Sequence, residues 1–178
     1  LVAPVYYLPC RRCAACHRGQ FNLCENAYDN PSQPPDEPPH FHGTFASHYY
    51  IQPDQYFYKV PEGLDPSVAA GANCALWQVT FGIDEVGVSA TDSVVIQGAG
   101  GLGLNSVAVC RERGAKTVVV EGVDRRIDLA REFGADHIVD FREYESTEER
   151  GERVAEITEE LATFAAPVAG LRGTPMTT

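Results

Sequence analysis

The residues best equipped for chemistry crowd into one octet near the start of the chain, Cys10-Arg11-Arg12-Cys13-Ala14-Ala15-Cys16-His17. Three chemistries share that spacing. Cys13-x-x-Cys16-His17 spells the attachment signature of a c-type haem, Cys10, Cys13 and Cys16 begin an iron–sulfur run, and cysteine pairs two residues apart suit zinc. Including Cys24 gives Cys10-x2-Cys13-x2-Cys16-x7-Cys24, four soft ligands able to close on one tetrahedral ion and leave no position for water. Haem would strand Cys10 and Cys24 and leave Met176 as the only methionine for a second axial position. A cubane cluster calls for a fourth cysteine after three residues followed by proline, whereas here the gap is seven and Glu25 follows. The pattern therefore favours a closed structural zinc site. Arg11, Arg12 and Arg18 are placed to offset its negative charge, electrostatically or through N–H to sulfur contacts. His17 reads as a solvated loop histidine.

A second chemistry is written in glycine. Gly98-x-Gly100-x-x-Gly103, with Gly101 between, is weak alone but follows an apolar run and opens an amphipathic one, and Glu121 ends the next apolar run 18 residues after Gly103. In a dinucleotide site Gly98 permits the tight turn, Gly100 lets the backbone approach a pyrophosphate, and Gly103 lets helix and strand pack closely. The phosphates rest on the helix N-terminus. Glu121 would accept hydrogen bonds from the adenosine ribose and repel a 2′-phosphate, favouring NAD over NADP, while Arg125 and Arg126 pull the other way.

The elements needed to position these groups are legible. Residues 26–40 carry five prolines among polar neighbours and form an exposed loop. TFASHYYIQ after Gly43 and YFYKV before Pro61 read as strands, giving irregular β structure around the cysteines. From Ser67 to Val86 small and apolar residues predict buried helix, and the change of character after PEGLDPS marks a domain junction. SVVIQ, KTVVVE and DHIVDF read as strands alternating with helices, the second helix turning Ile127, Leu129, Ala130 and Phe133 inward and stopping at Gly134. Ser146 and Glu149 form a capping box for a helix through Val154, Ile157 and Leu161. Strands alternating with helices predict a parallel sheet. The tail from Thr163 carries no periodicity and receives no element, which leaves SVVIQ as an unpaired edge.

A chain of 178 residues with 44% apolar and 22% charged residues can bury a core, and a formal charge of −11 disfavours nucleic acid and anionic membranes as partners. No apolar run is long enough to span a bilayer. Six cysteines without a secretory signal point to a reducing compartment, the cytoplasm. His40, His42, His48 and His137 have no partner pattern and read as structural or solvated, and Cys110 reads as core.

The cysteine lobe, the proline-rich loop, GTFASHYYI, a cysteine near the junction and GAGGLG together resemble the medium-chain, zinc-dependent alcohol dehydrogenase family, in register from about Val2 to Phe141. The resemblance implies an α/β chain: residues 1–72 as the C-terminal part of a GroES-like β domain with its zinc lobe, then 73–178 as the first half of a Rossmann doubly wound parallel sheet. It implies that Cys10, Cys13, Cys16 and Cys24 hold structural zinc, and that Cys74, 24 residues before Gly98, is a ligand of a separate catalytic zinc; without it, Cys74 would read as a small buried apolar residue. It assigns Gly98, Gly100, Gly101, Gly103, Glu121 and Arg126 to NAD. The implied reaction is hydride transfer between a small-molecule alcohol and NAD, in a homo-oligomer. The family's other catalytic-zinc ligands, in a segment bearing Gly-His-Glu, would precede Leu1, so the chain reads as an internal piece of such a protein. The competing reading is a non-catalytic, zinc-stabilised dinucleotide-binding module. Tested alone, the 178-residue chain is expected to bind one zinc and show no alcohol-dependent NAD reduction; robust turnover in a spectrophotometric assay at 340 nm would refute this.

Overall fold

The computed structural model describes residues 1–29, 34, 36–38, 40, 45–160 and 165–168, so His42 and part of GTFASHYYI lie outside the described residues. The chain divides into two compact units, Leu1–Ala69 and Ala70–Thr178.

The first unit has little regular structure. Strand β1 (Val2–Pro4) pairs antiparallel with β2 (Phe57–Lys59) in the register Val2 to Lys59. Phe57 and Tyr58 on this ribbon remain exposed, so it does not build the core. The core is the cysteine lobe itself: Cys16, Cys24 and Ala27 are buried, with Tyr7, Cys10, Cys13 and Phe21 packed around them. Helix α1 (Ala14–His17) and a 3₁₀ turn at Phe21–Leu23 carry that lobe. Residues 45–51, expected to be strand, are irregular. Their anchor is buried Gln55, whose Nε2 donates to the Val5 carbonyl at 2.7 Å and the Tyr49 hydroxyl at 2.6 Å. A side-chain amide supplies the partners that a strand neighbour would otherwise provide.

The second unit is a layered α/β structure. Its helical entry runs as α2 (Pro66–Gly71), a π segment (Ala72–Leu76) and α3 (Trp77–Glu85). Then follow β3 (Ser93–Gln97), α4 (Gly101–Glu112), β4 (Lys116–Glu121), α5 (Asp124–Phe133), β5 (His137–Asp140), α6 (Thr147–Glu160) and β6 (Ala165–Val168). All strand pairs are parallel and the order is β5-β4-β3-β6. In the sheet's own numbering that is 3-2-1-4, the opening of a doubly wound sheet. Alternate residues of β4 face opposite layers: Val119 joins Val79, Ile83, Val94, Ile96, Val107 and Cys110, while Val118 packs with Val139 and Ile157. This is why the strands read as unbroken valine and isoleucine runs.

Four expectations are corrected. The tail is not without structure: Ala165–Val168 pairs with β3, so β3 is not an edge, and Pro167 is tolerated because β6 itself occupies the edge. The segment from Ser67 to Val86 is helical but only one face is buried; Val79 and Ile83 are covered, whereas Val68, Trp77 and Phe81 are exposed. Phe133 points outward at the last turn of α5, and Ile127 and Ala130 supply the buried face. At α6, Ser146 Oγ accepts from Glu149 N at 3.1 Å, but the Glu149 carboxylate reaches back one residue further, to Glu145 N at 2.9 Å.

Asp136 stitches the entrance of β5 to the start of β4. Its carboxylate accepts from Lys116 Nζ at 2.9 Å, Thr117 N at 2.9 Å and Thr117 Oγ1 at 3.3 Å, and Thr117 is fully buried. Burial alone would raise its pKa, but the Lys116 ammonium and the Thr117 N–H outweigh that and hold it below the ordinary 3.8. A depressed carboxyl stabilises above its unfolded pKa, and that contribution disappears as pH falls through the folded value. Asp136→Ala is expected to cost about 1–3 kcal/mol in chemical denaturation at neutral pH, because buried Thr117 loses its acceptor. The gap to the wild type should close as pH falls below about 3.8.

Candidate metal centre and dinucleotide cleft

The four sulfurs of Cys10, Cys13, Cys16 and Cys24 all lie within 4.8 Å of one another. A tetrahedron of zinc–thiolate bonds has edges of about 3.8 Å, from a bond of about 2.3 Å, so small side-chain adjustments close this set on one ion. Haem attachment would use two of these sulfurs and separate the other two, and a cubane cluster would place each thiolate on a different iron, so the gathered geometry fits a single ion. The fold converges them through two backbone bends. Arg11 adopts φ of 58°, the left-handed region, between the first two cysteines, and α1 then turns Cys16 back under Cys13. His17 ends α1 exposed and outside the set.

Backbone amides, not arginine side chains, face the sulfurs. Cys10 N donates to Cys24 Sγ at 3.2 Å, and Asn26 Nδ2 donates to Cys10 Sγ at 3.4 Å. The Arg12 N–H, with help from Asn26, lowers the Cys10 thiol to about 6. The Cys16 N–H lowers Cys13, whereas burial pushes Cys16 up to about 12. The guanidinium of Arg11 instead donates to the Asp54 carbonyl at 3.0 Å and lies 5.2 Å over the Tyr56 ring, and Arg18 Nε donates to Gln20. Asn26 is a ligand-supporting residue that the spacing argument missed; its position two residues after Cys24 is the signal that could have shown it.

In the second unit the glycine turn leaves β3 and enters α4. Gly98 has φ of 89°, which side chains rarely adopt, and its N–H donates to the Val120 carbonyl at 2.8 Å, tying the turn to β4. Gly100 caps α4 with no side-chain hydrogen bond, and a Cβ on Gly100 or Gly101 would meet only open space. A Cβ on Gly103 would instead collide with the Gly98 carbonyl oxygen. The first turn of α4 therefore presents backbone N–H groups beside an unobstructed surface, a geometry that accepts phosphate.

Glu121, at the end of β4, is 3% exposed. Its carboxylate accepts from Ala99 N at 2.8 Å, Gly122 N at 2.8 Å and Val123 N at 3.0 Å, and Arg126 Nη1 lies 3.8 Å away. Burial would raise its pKa, yet the three amides and Arg126 together hold it below the ordinary range.

Residues 101–171 match the family described as zinc-binding dehydrogenase. The chain is 33% identical over 129 residues to D-xylulose reductase A of Aspergillus oryzae, covering 72% of this chain and 34% of that protein. It is 31% identical over 159 residues to 5-exo-hydroxycamphor dehydrogenase of Pseudomonas putida, covering 85% and 42% respectively. The crystal structure of an alcohol dehydrogenase from Thermotoga maritima superposes with a TM-score of 0.78 at 33% identity, over 89% of this chain and 44% of that one. The chain belongs to the zinc-binding dehydrogenase family. It spans about two fifths or less of the length of the curated relatives it matches.

Cys74 sits in the π segment, exposed, with Gln78 Nε2 3.5 Å from its sulfur. The buried, apolar alternative for Cys74 is thereby removed. Cys110 has the opposite surroundings: it is fully buried on α4 and burial pushes its thiol up to about 11, as a core residue should be. His48 is exposed beside Ser47 and His137 half-buried at the start of β5. The described residues bring the four lobe cysteines together and do not gather a second group of three or more His, Cys, Asp or Glu ligands. The collision at Gly103 is with backbone and cannot be relieved by a side-chain rotation. Gly103→Ala is expected to lose about 1–3 kcal/mol of stability in urea titration, and the Gly100→Ala control less than half as much.

Proposed function

We propose that this chain serves an NAD-linked, zinc-dependent alcohol or polyol dehydrogenase that transfers hydride between a small-molecule alcohol and the nicotinamide ring. The observation that carries the reading is the open glycine turn at the start of α4, closed on Gly103 and bounded by Glu121, within a 3-2-1-4 parallel sheet. When bound, the coenzyme supplies the hydride chemistry; this chain's part is to seat the pyrophosphate on the amides of α4 and to hold the adenosine end near Glu121 and Arg126.

Cys10, Cys13, Cys16 and Cys24 fit a structural zinc, because four thiolates with nearby N–H donors satisfy a closed tetrahedral site. Among its described residues the small, largely irregular first unit has few other buried apolar groups, which is the circumstance in which a metal staple replaces a core. Cys74, exposed on the helical entry, is assigned as a ligand of the catalytic zinc that would polarise the alcohol oxygen, with its partner ligands outside this chain. Residues 1–72 are read as part of a GroES-like domain and 73–178 as half a Rossmann domain. Six free thiols support a reducing compartment such as the cytoplasm, and no helix among the described residues is long and apolar enough to cross a membrane. A homo-oligomer and the absence of a nucleic-acid partner remain part of the proposal, the latter on the net charge of −11.

Elemental analysis of the purified chain should find zinc bound at the lobe. Cys24→Ser should release it and unfold the first unit, seen as loss of the Tyr7 and Phe21 packing signals by NMR. Cys110→Ser should keep the metal. Iron or haem in place of zinc would overturn the assignment.

A further inference from the structure

We propose that the cysteine lobe exchanges its ion through one port, a cavity beside Cys10, and that Cys10 is the first thiolate to let go, restrained until then by the side-chain amide of Asn26. The proposal rests on the structural-zinc reading above and goes further by assigning the order in which the ligands open and the surface that an incoming chelator meets.

The cavity measures about 320 Å³, at the lower end of the range for small-molecule sites. Cys10, Arg11, Arg12, Asn26, Asp29 and Asp54 are among the residues that line it, and all belong to the first unit. Cys13, Cys16 and Cys24 do not line it. The four sulfurs also differ in how firmly the chain holds them. Cys16 lies within α1 and Cys13 caps it, while Cys24 caps the 3₁₀ turn at Phe21–Leu23. Cys10 belongs to no helix or strand. Cys16 and Cys24 are buried and Cys10 half-buried; Cys13 shares that half-burial but not the cavity.

Two further features single out Cys10. It is joined to the rest of the set through Arg11, whose φ of 58° is left-handed. A side-chain-bearing residue stays in that region only while its surroundings over-determine it, and ligation on both sides of Arg11 is one such restraint. Asn26 supplies the other feature: its Nδ2 donates to Cys10 Sγ at 3.4 Å, the one side-chain amide donating to a lobe sulfur among the described residues. A donor of this kind favours the thiolate over the departing ligand, and rotation of one side chain withdraws it. Because Asn26 and Cys10 line the same cavity, an incoming donor meets the latch and the ligand together. The charges there are mixed. Arg11 is committed to the Asp54 carbonyl and the Tyr56 ring, so Arg12 and Asp29 are the opposed charges that can be varied without disturbing that anchor.

The test reads zinc transfer from the zinc-loaded 178-residue chain to two chelators, anionic EDTA and neutral phenanthroline. Asn26→Ala should speed transfer to both roughly 10-fold, the equivalent of a lost hydrogen bond to a charged group. Arg12→Ala should slow transfer to EDTA and Asp29→Asn should speed it, each about 3-fold, because each charge acts on the anion with its own sign. Transfer to phenanthroline should stay within about 2-fold in both variants, since a neutral molecule feels neither charge. Arg18→Ala removes the same charge from a residue outside the cavity lining and should change neither rate. The order of opening is read in the wild type, by partial alkylation of the zinc-loaded chain with iodoacetamide and mass mapping. Each modified sulfur displaces iodide and gains a carbamidomethyl group. Exposed Cys74 reacts independently of the metal, and among the four lobe cysteines Cys10 should be modified first.

Modification of Cys13, Cys16 or Cys24 ahead of Cys10 overturns the proposal, and that measurement needs no variant and survives any folding defect. So does an Asn26→Ala chain that releases zinc at the wild-type rate, or an Arg18→Ala chain that slows EDTA as much as Arg12→Ala does. A wild-type chain that holds no zinc removes the structural-zinc reading itself, and the exchange port goes with it.

Discussion

The close passage of α4 over the end of β3 sets the second unit. Helix and strand can meet only because position 103 has no side chain to strike the Gly98 carbonyl, and the turn between them can reverse only because Gly98 takes a positive φ. Once that contact is made, Val107 and Cys110 on α4 fall against Ile83, Val94 and Ile96, and the layer closes. The same contact aims the start of α4 at open space. Packing and the open start of α4 are therefore one arrangement, not two features placed side by side.

The first unit solves a different problem. Among its described residues the ribbon is exposed, and the one buried apolar cluster is formed by the cysteines and their neighbours. A metal-sized cage of sulfurs replaces hydrophobic burial as the organising element, and amide N–H groups, not the arginines that the spacing suggested, donate to the sulfurs. Arg11 illustrates the division: its backbone bends the knuckle while its guanidinium holds Asp54 and Tyr56.

Much of this was legible from residue types and spacing. Four cysteines within fifteen residues announce a shared ion because few other arrangements employ all of them, and the glycine turn announces itself through the strand before it and the helix after it. What stayed hidden were interactions between distant residues. Nothing local to Phe133 distinguishes an inward from an outward last turn, since its period fits the buried stripe. The pairing of Ala165–Val168 with β3 depends on a vacant edge that only the assembled sheet presents. Residues 45–51 have strand propensity, yet Gln55 supplies the local hydrogen bonds instead. The Glu121 amide partners were likewise invisible, because the motif locates an acidic residue without stating how its oxygens are spent.

Trp77 is the only tryptophan, and it stands two-thirds exposed on α3 with Phe81 one turn away. The chain's indole emission thus reports on a single helix surface. A blue shift would register another apolar surface settling there, which makes this side chain a built-in optical gauge of association.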